Sequence, residues 1–259
     1  MLLIACEEEP EEINSIVLAG GAYVQITNRQ DLQLPPDTTA ITALNGGVFS
    51  LELRAAGDTL PGGGGRPPAL FMVSNNLGED ELGIYRIPSD SSRIMVYFNN
   101  RRVSVIPIPN CDWDDPDCFT QVVVTYDGGT VSVYGNGIFL GSAADATELD
   151  IADSHALIGA DWDINNNVAS LDNFWYGAID EVRLWTQVLP ANEMDFRYKN
   201  PKNLTRHYSA DGLDNLLGLW RFNNERHEGE EVLDFSGNAN HAYIHSGDGS
   251  FYFSTSGAE

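Results

Sequence analysis

The sequence predicts an all-β fold, and three features of the chain point to it. From Ser15 to Thr255, apolar and polar residues alternate with a period of two in short runs rich in β-branched and aromatic residues. Gly, Asn and Asp residues separate these runs, as expected for turns between antiparallel strands. A chain of 259 residues with 42% hydrophobic residues is long enough to bury a complete core. We therefore expect a single all-β domain over residues 15–259.

The predicted strands follow one another along the whole body of the chain. They are Ser15–Thr27, Phe49–Arg54, Ala69–Val73, Arg93–Phe98, Val103–Ile108, Gln121–Tyr126, Val131–Tyr134, Ile138–Leu140, His155–Ile158, Ala178–Trp185, Leu216–Phe222, Ala242–His245 and Phe251–Thr255. Asp127-Gly128 and Asn136-Gly137 each predict a tight hairpin turn, because both dipeptides tolerate the positive φ angles that such turns require. One short helix is predicted over Ala191–Tyr198, directly after Pro190. The glycine-rich segment Gly57–Pro68 is predicted to be a surface loop.

The charge of the chain limits its partners. Fourteen Lys and Arg residues against 38 Asp and Glu residues give a formal net charge of −24. A nucleic-acid binder gains most of its affinity from contacts with phosphates, which an acidic chain repels. We therefore exclude nucleic acid as a partner. No run approaches about 18 consecutive apolar residues, so the sequence predicts no membrane-spanning helix.

The N-terminus carries a feature of exported bacterial lipoproteins. Leu3-Ile4-Ala5-Cys6 resembles the lipobox, in which the cysteine receives a diacylglycerol, although fewer residues precede Cys6 than the about 15–30 of a full signal peptide. We expect residues 1–14 to be a signal-peptide remnant and an acidic tether, with Cys6 as the lipidation site. The protein is then exported and anchored in a lipid bilayer, at the bacterial outer surface or in the periplasm. The alternative is an ordinary cysteine in the N-terminal tail.

Cys111 and Cys118 form a second cysteine feature. They enclose a short loop with four aspartates, whose mutual repulsion a disulfide would oppose. An oxidising compartment favours such a bond, so we predict a disulfide between these two residues. A zinc site is the alternative, although two cysteines supply only half of the usual ligands.

Seven blocks of sequence stand in a fixed order. They are Val122–Gly128, Val131–Gly137, Ala156–Gly159, Phe174–Trp185, Val188–Glu193, Gly218–Asn223 and Asp234–His241. Together they resemble the laminin-G-like and pentraxin-like domains of the concanavalin A-type superfamily, over roughly residues 15–247. The resemblance implies two antiparallel sheets in a jelly roll, one of them concave. It does not fix the function, because sugar-binding, protein-binding and hydrolytic members share this fold.

The sequence gives little support to catalysis. Relatives that resemble laminarinases carry a Glu-x-Asp-x-(x)-Glu strand, which sets a nucleophile and an acid on one face. The nearest match, Glu148-Leu149-Asp150-Ile151-Ala152-Asp153, ends in the shorter Asp. No Ser, Cys or His stands in a recognisable nucleophile motif. We therefore expect no enzymatic activity, with a glycoside hydrolase of the laminarinase type as an alternative.

One acidic cluster has the spacing of a calcium loop. Asp161, Asp163 and Asn165 alternate as oxygen ligands do, and Asp172 falls at the twelfth position, where a bidentate ligand closes such loops. Asn166 stands in place of the usual turn glycine, and neither flank is helical. The segment therefore resembles a Ca²⁺ loop on a β scaffold. The alternative is an Asx-rich turn that binds its own backbone.

Two further aspartates are candidate calcium ligands. Regular alternation puts Asp180 on the face of Val182 and Leu184, toward the core, where a carboxylate needs a counter-charge, a metal or several N–H donors. A β-bulge that exposes Asp180 is the alternative. For Asp234, the resemblance implies a structural calcium held through the tail signature in which this residue lies.

The expected ligand surface consists of aromatic side chains beside Asx-rich loops. Sugar sites stack apolar ring faces on aromatics while polar groups bind the hydroxyls, which makes Trp113, Trp162, Trp175 and Tyr176 candidates. We expect a non-catalytic recognition or adhesion module at the bacterial cell surface, whose partner is a glycan or a surface protein. A structural or protein-binding surface lipoprotein without a sugar site is the alternative.

Overall fold

The computed structural model describes eleven stretches of the chain. These are residues 15–27, 41–44, 46–58, 66–75, 77–90, 92–108, 113–151, 154–165, 168–203, 213–222 and 231–257. The strands within them, in chain order, are β1 (Ser15–Ala19), β2 (Tyr23–Ile26), β3 (Phe49–Gly57), β4 (Ala69–Asn75), β5 (Asp80–Arg86), β6 (Arg93–Phe98), β7 (Arg101–Pro107), β8 (Thr120–Tyr126), β9 (Thr130–Gly135), β10 (Ile138–Ala144), β11 (Ser154–Ile158), β12 (Asp161–Asn165), β13 (Val168–Asp172), β14 (Gly177–Trp185), β15 (Leu216–Trp220), β16 (Glu231–Val232), β17 (Ala242–His245) and β18 (Ser250–Ser254). The α-helix α1 spans Ala191–Lys199, and a short 3-10 helix spans Thr42–Leu44.

Two eight-stranded antiparallel sheets form a jelly-roll sandwich. Sheet A has the order β10-β9-β8-β3-β14-β1-β18, with β15 paired to the second half of β14. Sheet B has the order β16-β17-β2-β11-β4-β5-β6-β7, while β12 and β13 form a separate two-stranded hairpin. This architecture confirms the predicted all-β jelly roll with one short helix.

The helix and the two tight turns form where the sequence predicts them. The Oδ1 atom of Asp127, between β8 and β9, accepts hydrogen bonds from the N–H groups of Gly129 and Thr130 at 3.0 and 2.8 Å. Asn136 and Gly137, between β9 and β10, have φ angles of 50° and 76°, as a tight hairpin turn requires. In the described part of the chain, no helix is long and apolar enough to cross a membrane.

The structure departs from the predicted strands in several places. Ser15–Thr27 is not one strand, because Gly20 and Gly21 adopt φ angles of 61° and 113° and divide it into β1 of sheet A and β2 of sheet B. Glycine is the residue that takes such angles without strain. The segment Asp80–Arg86 was not predicted to be a strand, since it begins with two acids and contains Gly83, yet it forms β5 between β4 and β6.

The main core lies between the sheets, and a second apolar layer lies under α1. Trp113 and Trp175 are completely buried in the main core, where their rings meet edge to face with centroids 5.7 Å apart. The second layer contains Trp185 of β14, Leu189 from the segment before α1, and Met194 of α1, together with neighbouring apolar residues. The helix therefore covers part of the outer face of sheet A.

A buried ionic network also joins α1 to sheet A. Its centre is Glu52 of β3, whose carboxylate lies 2.8 Å from Nε of Arg197 in α1 and 3.4 Å from Nη1 of Arg183 in β14. Gln121 of β8 donates a hydrogen bond to the same carboxylate at 2.6 Å. Arg54 donates hydrogen bonds to the backbone carbonyl of Arg197 at 2.6 Å, which fixes the C-terminal turn of the helix. All four charged side chains are almost completely buried.

The arginines keep Glu52 ionised although it is fully buried. Burial alone would raise the pKa of this carboxyl, but the positive charges of Arg183, Arg197 and Arg54 outweigh it and hold the pKa at about 2. A group with a lowered pKa stabilises the folded state above its unfolded pKa. The contribution is therefore complete at neutral pH.

We predict that Glu52→Gln strongly destabilises the fold. The substitution leaves buried arginines without their counter-charge, and breaking a buried ion pair costs about 3–5 kcal/mol. The melting temperature should fall by about 10 °C in scanning calorimetry at pH 7. The difference in melting temperature between the variant and the wild type should disappear as the pH is lowered from 4.5, the ordinary pKa of this group, towards about 2.

Asp195→Asn is the matched control for this prediction. It removes an exposed carboxylate of α1 that pairs with Lys199 at 2.7 Å, and such surface pairs contribute about 0–1 kcal/mol. Equal melting temperatures for Glu52→Gln and the wild type would contradict the role of the network.

Candidate functional site

The outer face of sheet B is partly covered by the β12–β13 hairpin. Side chains of sheet B that point away from the core include Met72, Tyr85 and Leu157, and Trp162 of β12 packs against this layer. The prediction of a coordination loop at 161–167 is wrong, because Asp161–Asn165 and Val168–Asp172 pair in register as antiparallel strands.

The hairpin nevertheless brings three of the predicted calcium ligands together. Asp161 and Asp172 are direct partners across the strands, and Asp163 follows two residues along β12 on the same face. One carboxylate oxygen from each of the three lies within 4.8 Å of the others. We call this group the acidic triad. The side chain of Asn165 lies outside what the structure describes.

The surrounding sheet holds Asp161 in place. This carboxylate is 2% exposed, and it accepts hydrogen bonds from the Ser74 hydroxyl at 3.2 Å, the Tyr85 hydroxyl at 3.0 Å and the Asn173 amide at 3.1 Å. Burial, and then the charge of Asp163, raise the pKa of Asp161. The triad thus concentrates negative charge at a position with restricted solvation.

The positively charged side chain of Arg66 lies beside the triad. Its guanidinium forms an ion pair with Asp172 and lies 3.5 Å from Asp163, while its own side chain is 56% exposed. An exposed arginine is a flexible and solvated partner, so the pair contributes little stability. This contact could not be predicted from the sequence, since Arg66 lies about 100 residues away in the predicted loop.

Two oxygen atoms beside the triad lack hydrogen-bond donors. They are Oδ1 of Asp172 and Oδ1 of Asn173, both buried and without a partner among the described residues. A hard divalent cation such as Ca²⁺ binds carboxylate and amide oxygens together. The donor set therefore fits a metal ion, and Asn173 is a candidate ligand that sequence reasoning missed.

A further carboxylate, Asp80, shares the hydroxyl group of Tyr85 with Asp161. Oδ2 of Asp80 and Oδ2 of Asp161 lie 3.1 and 3.0 Å from this hydroxyl. A hydroxyl has one proton to donate, so both contacts are hydrogen bonds only if one of the two carboxylates is protonated. Burial, and then the nearby Asp161 charge, raise the pKa of Asp80 to about 7, so this carboxyl is partly protonated at neutral pH.

Asp180 lies in the ionic network under α1 and not in the triad. The predicted alternation is wrong here, because a register shift follows Asp180 and Glu181 has a φ angle of 50°, which together form a β-bulge. Val182 and Leu184 point into the core. Asp180 instead pairs in register with Arg54, and its negative charge favours the charged form of that arginine. The bulge does not expose Asp180, which is 4% accessible.

Asp234 organises the turn before β17. Oδ1 accepts hydrogen bonds from the N–H groups of Leu219 and Ser236, and Oδ2 accepts from the Ser236 hydroxyl and the Asn240 N–H, at 2.7–2.9 Å. This carboxylate is therefore satisfied by the chain itself, and it is not part of the triad.

The predicted ligand aromatics separate into two groups. Trp113 and Trp175 form the buried pair of the main core, so the prediction that they face a ligand is wrong. Trp162 is 9% exposed and packs against the His155 ring at 4.2 Å. Tyr176 is half-buried beside Gly20, close to the start of β14. None of the three tryptophans offers an open ring face.

A different set of aromatic side chains lies on the outer face of sheet B. Val24 and Ile26 of β2 and Ala242 and Ile244 of β17 point into the core, so the residues that alternate with them point outward. This outward set is Tyr23, Gln25, Tyr243 and His245, all half-buried, and we call it the aromatic patch.

Register joins the four members of the aromatic patch into one surface. Tyr23 is the direct partner of His245, and Gln25 is the direct partner of Tyr243. The Tyr23 and His245 rings stack with centroids 4.6 Å apart and an interplanar angle of 8°. Burial lowers the pKa of His245 to about 4, which keeps its ring neutral at pH 7. Sequence reasoning missed the patch, because its residues are more than 200 positions apart.

Two other predicted features stay predictions. Cys6 and Cys111 lie outside the described residues, so the structure tests neither lipidation nor the bond to Cys118.

In the motif that resembles a laminarinase strand, residues 148–151 do not form a strand, and residues 152 and 153 are not described. The carboxylates of Glu148 and Asp150 are thus not aligned on one strand face as the hydrolase motif requires.

We predict that Asp80→Asn stabilises the protein at high pH. Because the folded pKa is raised above its ordinary value of 3.8, wild-type stability falls as the pH rises from about 4 to about 7. An amide stays neutral and removes this loss. At pH 8 the variant should be more stable by about 1 kcal/mol, after discounting for partial solvation. Urea unfolding at several pH values measures the difference, with exposed Asp214→Asn as control. If the difference in unfolding free energy between the variant and the wild type stayed constant across this pH range, the raised pKa of Asp80 would be contradicted.

Solved structures similar to this chain share its fold. A candidate carbohydrate-binding protein from Bacteroides ovatus ATCC 8483 has a TM-score of 0.57 and 14% identity over 95% of this chain, which spans 61% of that protein. The heptameric SAP-like pentraxin from Limulus polyphemus has a TM-score of 0.52 and 13% identity, covering 74% of this chain and 84% of that one. The CBM40 module of the Ruminococcus gnavus IT-sialidase, bound to α2,3-sialyllactose, has a TM-score of 0.50 and 11% identity, covering 71% and 95%.

Sequence comparison identifies the family. A search of curated proteins found no match. The Laminin_G_3 family model matches residues 19–194, which is more than half of the chain. This range contains the acidic triad and the strand that carries Tyr23. The chain therefore belongs to the concanavalin A-like lectin/glucanases superfamily.

Proposed function

We propose that this protein is a non-catalytic carbohydrate-binding module whose ligand lies on the outer face of sheet B. The observation that carries the proposal is the aromatic patch, set on a fold shared with carbohydrate-binding proteins. Part of the outer face of sheet A is covered by α1 and its ionic network, whereas the aromatic patch lies on the outer face of sheet B.

The patch has the chemistry that a sugar ring requires. A pyranose stacks its apolar C–H face on an aromatic ring, and its hydroxyls need hydrogen-bond partners at the ring edge. The Tyr23 and His245 rings stack on each other, so a sugar ring would stack on an outward face of this pair. Beside them lie the amide of Gln25 and the hydroxyl of Tyr243, which also contacts Oε1 of Glu231 at 3.3 Å. These polar groups are placed to select among hydroxyl orientations.

We further propose that the acidic triad holds Ca²⁺. Asp161, Asp163 and Asp172 would supply carboxylate oxygens, and the unpaired oxygen of Asn173 would add an amide ligand. The ion would supply fixed positive charge where Arg66 now makes a solvated contact. Its role would be to hold the two strands of the hairpin together, since the triad lies on both of them.

Export with an acyl anchor at Cys6 completes the proposed function. A sugar-binding module held at a bacterial surface meets extracellular glycans, and the acidic residues after Cys6 would keep it away from the bilayer. A disulfide between Cys111 and Cys118 is compatible with that oxidising location.

We predict that the aromatic patch carries glycan binding. On an oligosaccharide array the wild type should bind at least one glycan, and Tyr23→Ala and His245→Ala should each weaken binding about tenfold or more, as expected for the loss of one stacking ring. Phe139→Ala is the control, since Phe139 is 54% exposed on β10 of the other sheet. Wild-type binding that survives both patch substitutions would place the ligand elsewhere.

We predict that calcium raises the melting temperature. Binding to the folded form stabilises by about 2.7 kcal/mol at a hundredfold excess over Kd, which corresponds to about 5–10 °C for a domain of this size. Asp163→Asn should lose most of this shift, and Arg66→Gln should enlarge it by removing the competing cation. Asp248→Asn, exposed and outside the triad, is the control. The same melting curve in EDTA and in calcium would reject the site.

A further inference from the structure

A cleft lies on the outer face of sheet A, at the C-terminal end of α1. Its volume is about 750 Å³, which falls within the about 300–1,000 Å³ of ligand pockets. Arg54 of β3 lines this cleft, since Leu53 and Ala55 point into the core and the residue between them points outward. The cleft is also lined by Asp117 and Phe119 before β8, by Tyr198 and Lys199 of α1, and by Ser256 after β18.

Arg54 is a buried charge that has no carboxylate in contact. Four arginines of the described chain are buried, and three of them, Arg86, Arg183 and Arg197, form ion pairs with carboxylates. Arg54 is only 2% exposed, yet it forms no ion pair with a described residue. Buried charges are normally paired. Arg54 is therefore the arginine to which an external anion would add a missing partner.

The contacts of Arg54 leave part of its guanidinium unused. Nη2 donates hydrogen bonds to the backbone carbonyls of Arg197 and Tyr198 at 2.6 and 3.0 Å, which caps the end of α1. Nε is buried and has no hydrogen-bond partner among the described residues. Burial lowers the pKa of Arg54 to about 10, because the charges of Glu52 and Asp180 offset the loss of solvation only in part. The positive charge at the cleft is thus incompletely compensated.

We propose that the cleft binds an acidic sugar, with the carboxylate of a hexuronate on the guanidinium of Arg54. A guanidinium and a carboxylate are both planar and form strong, charge-assisted hydrogen bonds. Phe119 and Tyr198 are half-buried and give the cleft an apolar wall, against which a sugar ring can pack. The Tyr198 ring centroid lies 5.9 Å from Cζ of Arg54, so this wall stands beside the charge. The hydroxyl of exposed Ser256 can bind a sugar hydroxyl.

The other charges of the cleft favour a ligand with a single carboxylate. Lys199 adds little positive charge, because its Nζ is paired with Asp195 at 2.7 Å. Asp117 adds a negative charge to the wall. A ligand with several anionic groups would therefore be repelled, both by Asp117 and by a chain with a net charge of −24. One carboxylate matches the one arginine that lacks a partner.

Isothermal titration calorimetry of the full chain tests the ligand class. Sodium glucuronate should bind with a Kd of about 1 mM or tighter. Glucuronamide, its neutral amide, should bind at least about tenfold more weakly, because it loses the charge-assisted hydrogen bond to Arg54. Sodium acetate has the carboxylate but no sugar ring, and it should also bind at least about tenfold more weakly. No binding of glucuronate, or equal binding of the amide or of acetate, would overturn the proposal.

Variants of the cleft wall test the location. Ser256→Asp adds a carboxylate to the wall and leaves the contacts of Arg54 with α1 in place, so glucuronate binding should weaken at least about tenfold. Asp117→Asn removes a repelling charge and should tighten binding about threefold. Asp248→Asn makes the same change at an exposed position outside the cleft and should bind like the wild type. Unchanged binding by Ser256→Asp would overturn the proposed site.

Arg54→Gln tests the guanidinium itself. Glucuronate binding should be lost, because the amide carries no positive charge. The substitution also removes the hydrogen bonds to the carbonyls of α1, so the melting temperature is measured in parallel. A folded Arg54→Gln variant that binds glucuronate like the wild type would overturn the proposal. If this variant does not fold, Ser256→Asp decides the outcome, since that variant keeps Arg54 in place.

Discussion

The ion pairs around Glu52 fix the arrangement on which the rest of the molecule depends. Arg197 comes from α1, Arg183 from β14 and Glu52 from β3, so one carboxylate joins the helix to two neighbouring strands. A buried carboxylate without these partners would not remain ionised. Because the partners come from separate elements, the network forms only when α1 lies on the outer face of sheet A. That placement covers part of one face of the sandwich, and the proposed binding surface lies on the other.

Much of the fold could be predicted from local sequence. Period-two alternation identified most strands, and Asp127-Gly128 and Asn136-Gly137 located two turns, because these signals depend on residues next to each other. The misses had non-local causes. Two glycines divided the first run between sheets, which alternation alone does not reveal. Strand β5 begins with acids and owes its conformation to pairing on both sides with β4 and β6. Tertiary pairing there overrides local preference.

The candidate site was less predictable, because its parts meet only in the folded chain. The spacing of Asp161, Asp163 and Asp172 pointed to the correct residues, but through a loop geometry that the hairpin replaces. Register across two strands happens to bring the same carboxylates together. Arg66 and the pairing of Tyr23 with His245 left no local signal, since both depend on contacts between distant segments. The bulge at Asp180 likewise reversed the face that simple alternation assigned to it.

The two acidic centres of the protein differ in how their charge is compensated. Around Glu52 the chain supplies three buried arginines, whose positive charges lower the pKa of this carboxyl. At the hairpin the pKa values of Asp161 and Asp80 are raised, the nearby arginine is exposed, and buried oxygens of Asp172 and Asn173 have no donor. An added cation would gain little at the first centre, because arginines already outnumber the carboxylate they surround. At the second it would add positive charge beside a single exposed arginine, which is why we propose an external ion for the hairpin and not for the network under α1.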